Sequence, residues 1–134
     1  MVDGKRLSYK QLEGGFTQPN AGISVKMLEW ARDAAVRDEV SSSSACASDS
    51  DAIRREDDFL ELYCGNGNFT LAMAPMFRRV LATEVSKVSV AAARENIAAN
   101  GADNVDVVRL SSEELTLALD QGKRYERLGD VDVH

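Results

Sequence analysis

The 134-residue sequence is long enough for one domain or for part of one. No run approaches the roughly 18 apolar residues of a membrane span, and the N-terminus lacks an apolar stretch of signal-peptide type. We therefore expect a soluble protein in the cytoplasm, without excluding an organelle or the nucleus. The formal net charge of −6 has the wrong sign for a self-sufficient nucleic-acid binder, because phosphate contacts require clustered Lys and Arg.

The first part of the chain predicts one strand, one helix and one insertion. Residues 5–12 alternate enough to form a short strand, which Gly14 and Gly15 end. Asn20 is a plausible N-cap for a helix that runs to about Val40. One stripe of that helix is apolar and is expected to be core: Ile23, Met27, Trp30, Ala31 and Ala34. Residues 41–58 are rich in Ser and Asp, and predict a flexible surface insertion.

From Phe59 onward the pattern is strand, helix, strand, helix, strand, helix, which predicts a parallel, doubly wound sheet. Ser86 is expected to cap the second of these helices, which Asn100 and Gly101 stop, and a third strand covers residues 105–110. Ser111 or Ser112, followed by two glutamates, is expected to cap the last helix. In such a sheet the first strand is central, because later strands pair with its far side. No later strands follow in this sequence, so we expect the first strand to be an exposed edge.

Residues 60–69, with the sequence LELYCGNGNF, predict a buried strand that breaks into a glycine turn and opens a helix. Gly65 and Gly67 allow a tight turn and the close approach of a ligand, and the free N–H groups of the helix would point back at the turn. Glu84 follows 19 residues after Gly65, where a carboxylate can accept hydrogen bonds from both hydroxyls of a ribose. The alternative is an ordinary β-turn-α connection in which the glycines merely make the turn.

The spacing of the glycines bears on which nucleotide-like cofactor is meant. A dinucleotide fingerprint requires a third glycine or alanine three residues after the second, and Thr70 stands there. S-adenosylmethionine has no pyrophosphate, and Glu61 matches the common methyltransferase pattern acid-x-x-x-Gly-x-Gly. S-adenosylmethionine is therefore the favoured cofactor, and a fragment of a dinucleotide-dependent oxidoreductase ranks last.

Five segments together closely resemble the tRNA (uracil-5-)-methyltransferases, which make ribothymidine in the T loop of tRNA. They are FTQPN at residues 16–20, MLEW at 27–30, LYCGNGNF at 62–69, LATE at 81–84 and NIAAN at 96–100. The resemblance covers the chain from about Leu7 to its end. It implies a partial Rossmann-like class I methyltransferase fold of the α/β class, with about three parallel strands and helices on both faces. It also implies that residues 1–19 are the tail of a preceding domain plus the FTQPN segment, and that residues 20–134 are an incomplete S-adenosylmethionine-binding domain.

The resemblance also implies which residues bind S-adenosylmethionine. The family's contacts fall on Gln18, Tyr63, Asn68 and Glu84, beside the loop glycines Gly65 and Gly67, and the resemblance implies no metal. The ring of Tyr63 can cover the apolar edge of the cofactor and its sulfonium.

The catalytic parts implied by the resemblance do not occur in the 134 residues. In the family a cysteine thiolate adds to carbon 6 of uracil, the enolate is methylated, and a carboxylate removes the carbon 5 proton. The family's Ser-Cys-Asn-Pro and Asp-Pro-Pro-Arg segments and its C-terminal glutamate are missing, so no catalytic residue is assigned. We expect the chain to bind cofactor weakly, to be inactive alone and to contact tRNA mostly through other regions; the alternative is a non-catalytic S-adenosylmethionine-binding module.

Two cysteines imply neither a disulfide framework nor a metal site. Cys64 lies inside the glycine turn with no basic residue beside it in the sequence, so a structural role is expected. Cys46, in the Ser-rich segment, is expected to be exposed.

Overall fold

The computed structural model describes residues 6–11, 20–40 and 57–121, and their side chains except those of 36–40 and 121. In chain order the elements are α1 (Ala21–Val40), β1 (Phe59–Leu62), α2 (Asn68–Met73), a 3₁₀ turn (Ala74–Met76), β2 (Val80–Glu84), α3 (Lys87–Asn100), β3 (Val105–Arg109) and α4 (Ser112–Gln121). The predicted alternation of strands and helices from Phe59 onward is confirmed. In the described part of the chain, no helix is long and apolar enough to cross a membrane.

The three strands form one parallel sheet in the order β1-β2-β3. On one face, Ala82 of β2 and Val107 of β3 pack with Ala93 of α3 in a buried apolar cluster. On the other face, Val108 of β3 packs with Leu115 of α4. Helices therefore cover both faces, and the fold is the predicted partial Rossmann-like α/β fold.

The helix ends follow the predicted local signals. The side chain of Ser86 accepts a hydrogen bond from the N–H of Ser89 at the start of α3, and Gly101 ends that helix with a φ of 64°. Before α4, the N–H of Glu114 donates to the Ser111 hydroxyl and the N–H of Ser111 donates to the Glu114 carboxylate. This reciprocal pair is a capping box, which confirms Ser111 as the cap.

Strand β1 lies at one edge of the sheet, as expected. Its inner face is covered, since the ring of Phe59 stacks on Phe77 with 5.0 Å between the centroids. Its outer face is not, because Leu60 and Leu62 are 44% and 41% exposed. Among the described residues no strand pairs with the free side of β1, so its backbone N–H and C=O groups there have no ladder partners.

The prediction about the core face of α1 is confirmed for Ala31 and wrong for the three large residues of the stripe. Ile23, Met27 and Trp30 are exposed, Trp30 by 71%, whereas Leu28 is buried. The face of α1 that turns inward packs against α2 and the neighbouring apolar cluster through Leu28, Ala31 and Ala35. Both stripes have helical spacing and share Ala31, so the pattern alone does not decide which face turns inward.

The strand predicted at residues 5–12 is also wrong for its described part, residues 6–11, which has no secondary structure. Two side-chain amides of α3 bind its backbone instead. Lys10 donates its N–H to Asn96 and accepts from it, and Ser8 makes the same two bonds with Asn100. Ser8 and Lys10 are alternate residues, which in an extended chain present their N–H and C=O groups to the same side. Asn96 and Asn100 lie one helical turn apart, so the spacing of the two amides matches the spacing of the two backbone positions.

Most of the predicted insertion, residues 41–56, lies outside the described residues, as do Gln18, Cys46 and residues 12–19. At the far end of that segment, the Asp58 carboxylate pairs with the Arg78 guanidinium at 2.8 Å, and the Asp57 carbonyl accepts from the Arg78 N–H. Hydrogen bonding to Arg78 lowers the pKa of Asp58.

Candidate functional site

The site forms where β1 ends and the chain turns into α2. The strand ends at Leu62, and the next residue, Tyr63, already has a φ of 57°. Gly65 and Gly67 follow with φ values of 56° and 83°. The turn is closed by the N–H of Gly67, which donates to the carbonyl of Cys64 at 2.9 Å. A left-handed backbone costs an L-residue roughly 1–2 kcal/mol, so Tyr63 is a strained residue in this loop.

The two glycines of the loop have different surroundings. A Cβ atom on Gly67 would lie 3.5 Å from the Cβ of Ala93, an ordinary van der Waals distance, so it is the positive φ that favours glycine there. A Cβ atom on Gly65 would meet nothing within 4 Å. The backbone at Gly65 therefore faces open space, which is what a ligand that approaches the main chain requires.

Glu84, at the end of β2, faces the same loop. One carboxylate oxygen accepts a hydrogen bond from the N–H of Gly65 at 3.0 Å, and the other accepts from the N–H of Ser86 at 2.8 Å. Two backbone donors thus fix the orientation of the carboxylate. A carboxylate offers about four acceptor positions, so positions remain for two hydroxyl groups of a ligand.

Tyr63 reaches across the loop to α4. Its side chain is 64% exposed, and its hydroxyl lies 2.6 Å from the Ser112 hydroxyl at the start of that helix. The contact holds the ring near the carboxyl ends of the strands with much of its surface open. Sequence reasoning missed Ser112 in this contact, since it lies 49 residues along the chain and its only signal was as a helix cap.

Asn68, the first residue of α2, connects the loop to α1. Its side-chain amide donates to the Ser24 hydroxyl at 3.4 Å, in the first turn of α1. Asn20 caps that helix as predicted, because its side chain accepts from the N–H of Ile23 at 3.1 Å. The start of α1 therefore lies beside the glycine loop, and Gln18, two residues before Asn20, remains a prediction from the family resemblance.

Beneath the loop lies a mostly buried acid, Glu61, whose carboxylate accepts a hydrogen bond from the Thr70 hydroxyl at 2.5 Å. Burial raises the pKa of Glu61 from 4.5 to about 7. Thr70 is completely buried, so the residue in place of a third glycine is used to hold this acid.

Cys64 is buried in the core cluster that includes Ala93, which confirms its structural role. Burial, with smaller contributions from the carboxylates of Glu61 and Glu84, raises the pKa of its thiol to about 12. A thiol so protonated is a poor nucleophile at neutral pH. The described residues contain no group of three or more side chains able to hold a metal ion.

A sequence model of the tRNA (uracil-5-)-methyltransferase family matches residues 1–134. The chain belongs to this family. It is 54% identical over 132 residues to a tRNA/tmRNA (uracil-C(5))-methyltransferase of Shewanella amazonensis, in a match that covers 98% of this chain and 32% of that relative. A relative of the same description in Pseudomonas paraeruginosa is 50% identical over 133 residues, with 99% and 32% covered. The chain thus spans about a third of the length of these relatives.

Solved structures show a similar fold. A hypothetical protein of Thermus thermophilus matches with a TM-score of 0.62 and 20% identity, over 92% of this chain and 61% of that one. Precorrin 8w decarboxylase of Methanobacterium thermoautotrophicum matches with a TM-score of 0.56 and 16% identity, over 81% and 48% of the two chains. At these identities the likeness concerns the fold alone.

Proposed function

We propose that this chain is the S-adenosylmethionine-binding part of a tRNA (uracil-5-)-methyltransferase, and that the whole enzyme methylates carbon 5 of the T-loop uridine. The observation that supports this most directly is the position of Glu84. Its carboxylate is held by the N–H groups of Gly65 and Ser86 beside the open side of the loop. An acid at the end of the second strand, next to a glycine turn, is the arrangement that binds ribose hydroxyls in nucleotide-binding folds.

The residues present fit S-adenosylmethionine. Glu84 would accept hydrogen bonds from the ribose, the backbone at Gly65 allows close approach, and the exposed ring of Tyr63 would cover the sulfonium. The family resemblance adds Gln18 and Asn68 to these contacts. When bound, the cofactor supplies an electrophilic methyl group; this part of the chain binds and orients it.

The loop sequence also favours this cofactor over a dinucleotide. A dinucleotide site has a third glycine or alanine three residues after the second, and Thr70 stands there instead. The Thr70 side chain is completely buried and donates its hydroxyl to Glu61, so this position is filled by a side chain that the fold uses.

The other catalytic parts are proposed to lie in the portion of the family's length that this chain does not span. Its 134 residues contain no Ser-Cys-Asn-Pro or Asp-Pro-Pro-Arg segment, and the Cys64 thiol has a pKa of about 12. We propose that the chain does not methylate alone and that most tRNA contacts come from elsewhere in the enzyme. We also propose that the enzyme acts in the cytoplasm. Methylation of a T-loop uridine by the purified chain would contradict this.

A matched pair of glycine substitutions tests cofactor binding. Gly65→Ala and Gly101→Ala both place a side chain at a positive φ in open space, so each costs roughly 1–2 kcal/mol of folding stability. Only Gly65→Ala obstructs the proposed site. In titration calorimetry with S-adenosylhomocysteine we expect the original chain and Gly101→Ala to bind alike, and Gly65→Ala and Glu84→Ala to bind at least about tenfold more weakly. No binding by the folded original chain, or equal binding by both glycine variants, would refute the proposal.

A non-catalytic S-adenosylmethionine-binding module is the second candidate, since the open side of the loop and the oriented carboxylate of Glu84 would suffice for binding alone. It predicts binding of S-adenosylhomocysteine, and no methyl transfer from S-adenosylmethionine under any condition. Reconstitution decides between the two candidates: the remaining segments of a relative, added in trans, should restore uracil methylation only if the chain is part of the enzyme. Competition with NAD separates both from an oxidoreductase fragment.

A further inference from the structure

Asn96, in the middle of α3, is a polar residue that is only 2% exposed. Its side-chain amide accepts the N–H of Lys10 at 2.6 Å, and donates to the carbonyl of Lys10 at 3.2 Å and to the carbonyl of Asn66 at 3.0 Å. Both amide hydrogens are used, as buried polar groups require. One side chain therefore joins the N-terminal segment, residues 8–10, to the glycine loop.

Asn100, one helical turn further along α3, provides the comparison. Its amide accepts the N–H of Ser8 at 3.0 Å and donates to the carbonyl of Ser8 at 2.7 Å. Its remaining bond, to the carbonyl of Asn96 at 2.7 Å, stays within the helix. Asn96 and Asn100 thus hold the N-terminal segment in the same way, and what distinguishes Asn96 is its bond to the loop.

Tyr9 makes a second contact between this segment and the loop. Its hydroxyl donates to the carbonyl of Asn68 at 3.2 Å, and its ring packs against the core cluster that contains Cys64. Burial raises the pKa of Tyr9 to about 12, so the hydroxyl remains a donor throughout the physiological range. The segment therefore acts on the loop through the carbonyls of Asn66 and Asn68, on either side of Gly67.

These contacts restrict the loop because a peptide group is planar. The carbonyl of Asn66 belongs to the same peptide group as the N–H of Gly67, and that N–H donates to the carbonyl of Cys64 at 2.9 Å. Asn96 on one side and Cys64 on the other thus fix the peptide plane. Without Asn96 that plane loses one of its two restraints, at a point where glycine offers little resistance to rotation.

We propose that Asn96 is a positioning residue for the cofactor loop, and that it docks residues 8–10 against the loop so that the loop holds its binding shape. Asn96 itself does not contact the ligand. The inference rests on the proposed role of the loop in binding S-adenosylmethionine. It also implies linkage: an event that moves residues 8–10 changes cofactor affinity, and a bound cofactor strengthens the docking of that segment by the same factor.

The test compares Asn96→Ala with Asn100→Ala and Asn104→Ala. Asn104 is half-buried and donates to the carbonyls of Ala74 and Phe77 at the 3₁₀ turn and to none in the loop, so it controls for the general loss of an amide that binds backbone. Two quantities are measured: the affinity for S-adenosylhomocysteine, and the amide hydrogen exchange of Gly67 in the ligand-free chain. For Asn96→Ala we expect affinity about tenfold lower and exchange about tenfold faster, and for both controls changes below about threefold.

A second pair of variants covers the case in which Asn96→Ala does not fold. Lys10→Pro removes the N–H donor to Asn96 from an exposed residue, and Ser8→Pro removes the corresponding donor to Asn100. Lys10→Ala, which keeps the N–H, controls for the lost ion pair with Glu95. Lys10→Pro should lower the affinity and speed the exchange of Gly67 in part, because it removes the N–H that orients the Asn96 amide toward the Asn66 carbonyl. Ser8→Pro and Lys10→Ala should change neither quantity.

Two failures are distinguishable. If the folded original chain binds no S-adenosylhomocysteine, the proposed function fails, while the exchange of Gly67 still decides the positioning role of Asn96. If the original chain binds, but Asn96→Ala and Lys10→Pro match their controls in both measurements, the positioning role is overturned and the proposed function stands.

Discussion

The mostly buried carboxyl group of Glu61 should make the protein less stable as the pH rises from about 4.5 to about 7. Because the pKa of Glu61 is raised from 4.5 to about 7 on folding, the folded state binds more protons than the unfolded state throughout that interval. One pKa unit corresponds to about 1.4 kcal/mol, so the free energy of unfolding should fall by about 3 kcal/mol across it. Above about pH 8 both states are ionised at this site and the loss is complete.

Glu61→Gln removes this titration and keeps an oxygen that can accept the Thr70 hydroxyl. The variant should match the original chain in stability near pH 4.5 and exceed it by up to about 3 kcal/mol at pH 8. The comparison with Glu61→Gln isolates this group, since the other titratable groups are the same in both chains. The pKa values of Asp58 and Glu113 are lowered, so these carboxyl groups titrate below the interval.

The assay is urea unfolding followed by circular dichroism at several pH values between 4.5 and 8. Asp120→Asn, which removes an exposed acid on α4, is the control and should keep the pH dependence of the original chain. Stability of the original chain that is constant or rises across the interval would refute the reasoning. The reasoning would also be refuted if the free energy of unfolding of Glu61→Gln fell with pH as steeply as that of the original chain.

Two further predictions concern the cysteines and the edge strand. At pH 8 a thiol reagent should modify Cys46 in the native chain and should reach Cys64 only in denaturant. The reason is that burial and nearby carboxylates raise the pKa of Cys64 to about 12. Rapid reaction of both thiols without denaturant would contradict this. Because the free side of β1 has no ladder partner among the described residues, we expect the chain to self-associate through this edge. Leu60→Lys on β1 should then weaken the association by about fivefold in sedimentation equilibrium, since covering the exposed part of a leucine is worth about 1 kcal/mol. Leu117→Lys, on the exposed surface of α4, should leave association unchanged, and an equal effect of both substitutions would exclude the edge as its cause.

The order of the elements from Phe59 onward could be predicted because its signals are local. The caps at Ser86 and Ser111 and the stop at Gly101 bond to residues three or four positions away, so the sequence around each contains all that it needs. The pairing of Gly65 with Glu84 was also predictable, because parallel strands joined by a helix bring their carboxyl ends to one edge of the sheet. Among the predicted cofactor contacts, the loop residues and Glu84 lie together, and Gln18 falls outside the described residues.

The features that could not be predicted depend on residues far apart in the chain. The sequence of α1 is compatible with two inward faces, and only packing against α2 buries Leu28 and leaves Trp30 exposed. Residues 8–10 have the alternation of a strand, yet their backbone groups bond to the amides of Asn96 and Asn100, about 90 positions away. Local sequence specifies which conformations the backbone prefers. Tertiary structure selects the hydrogen-bond partners of the backbone groups, because each such group needs a donor or acceptor and the sequence alone does not say which one is nearest.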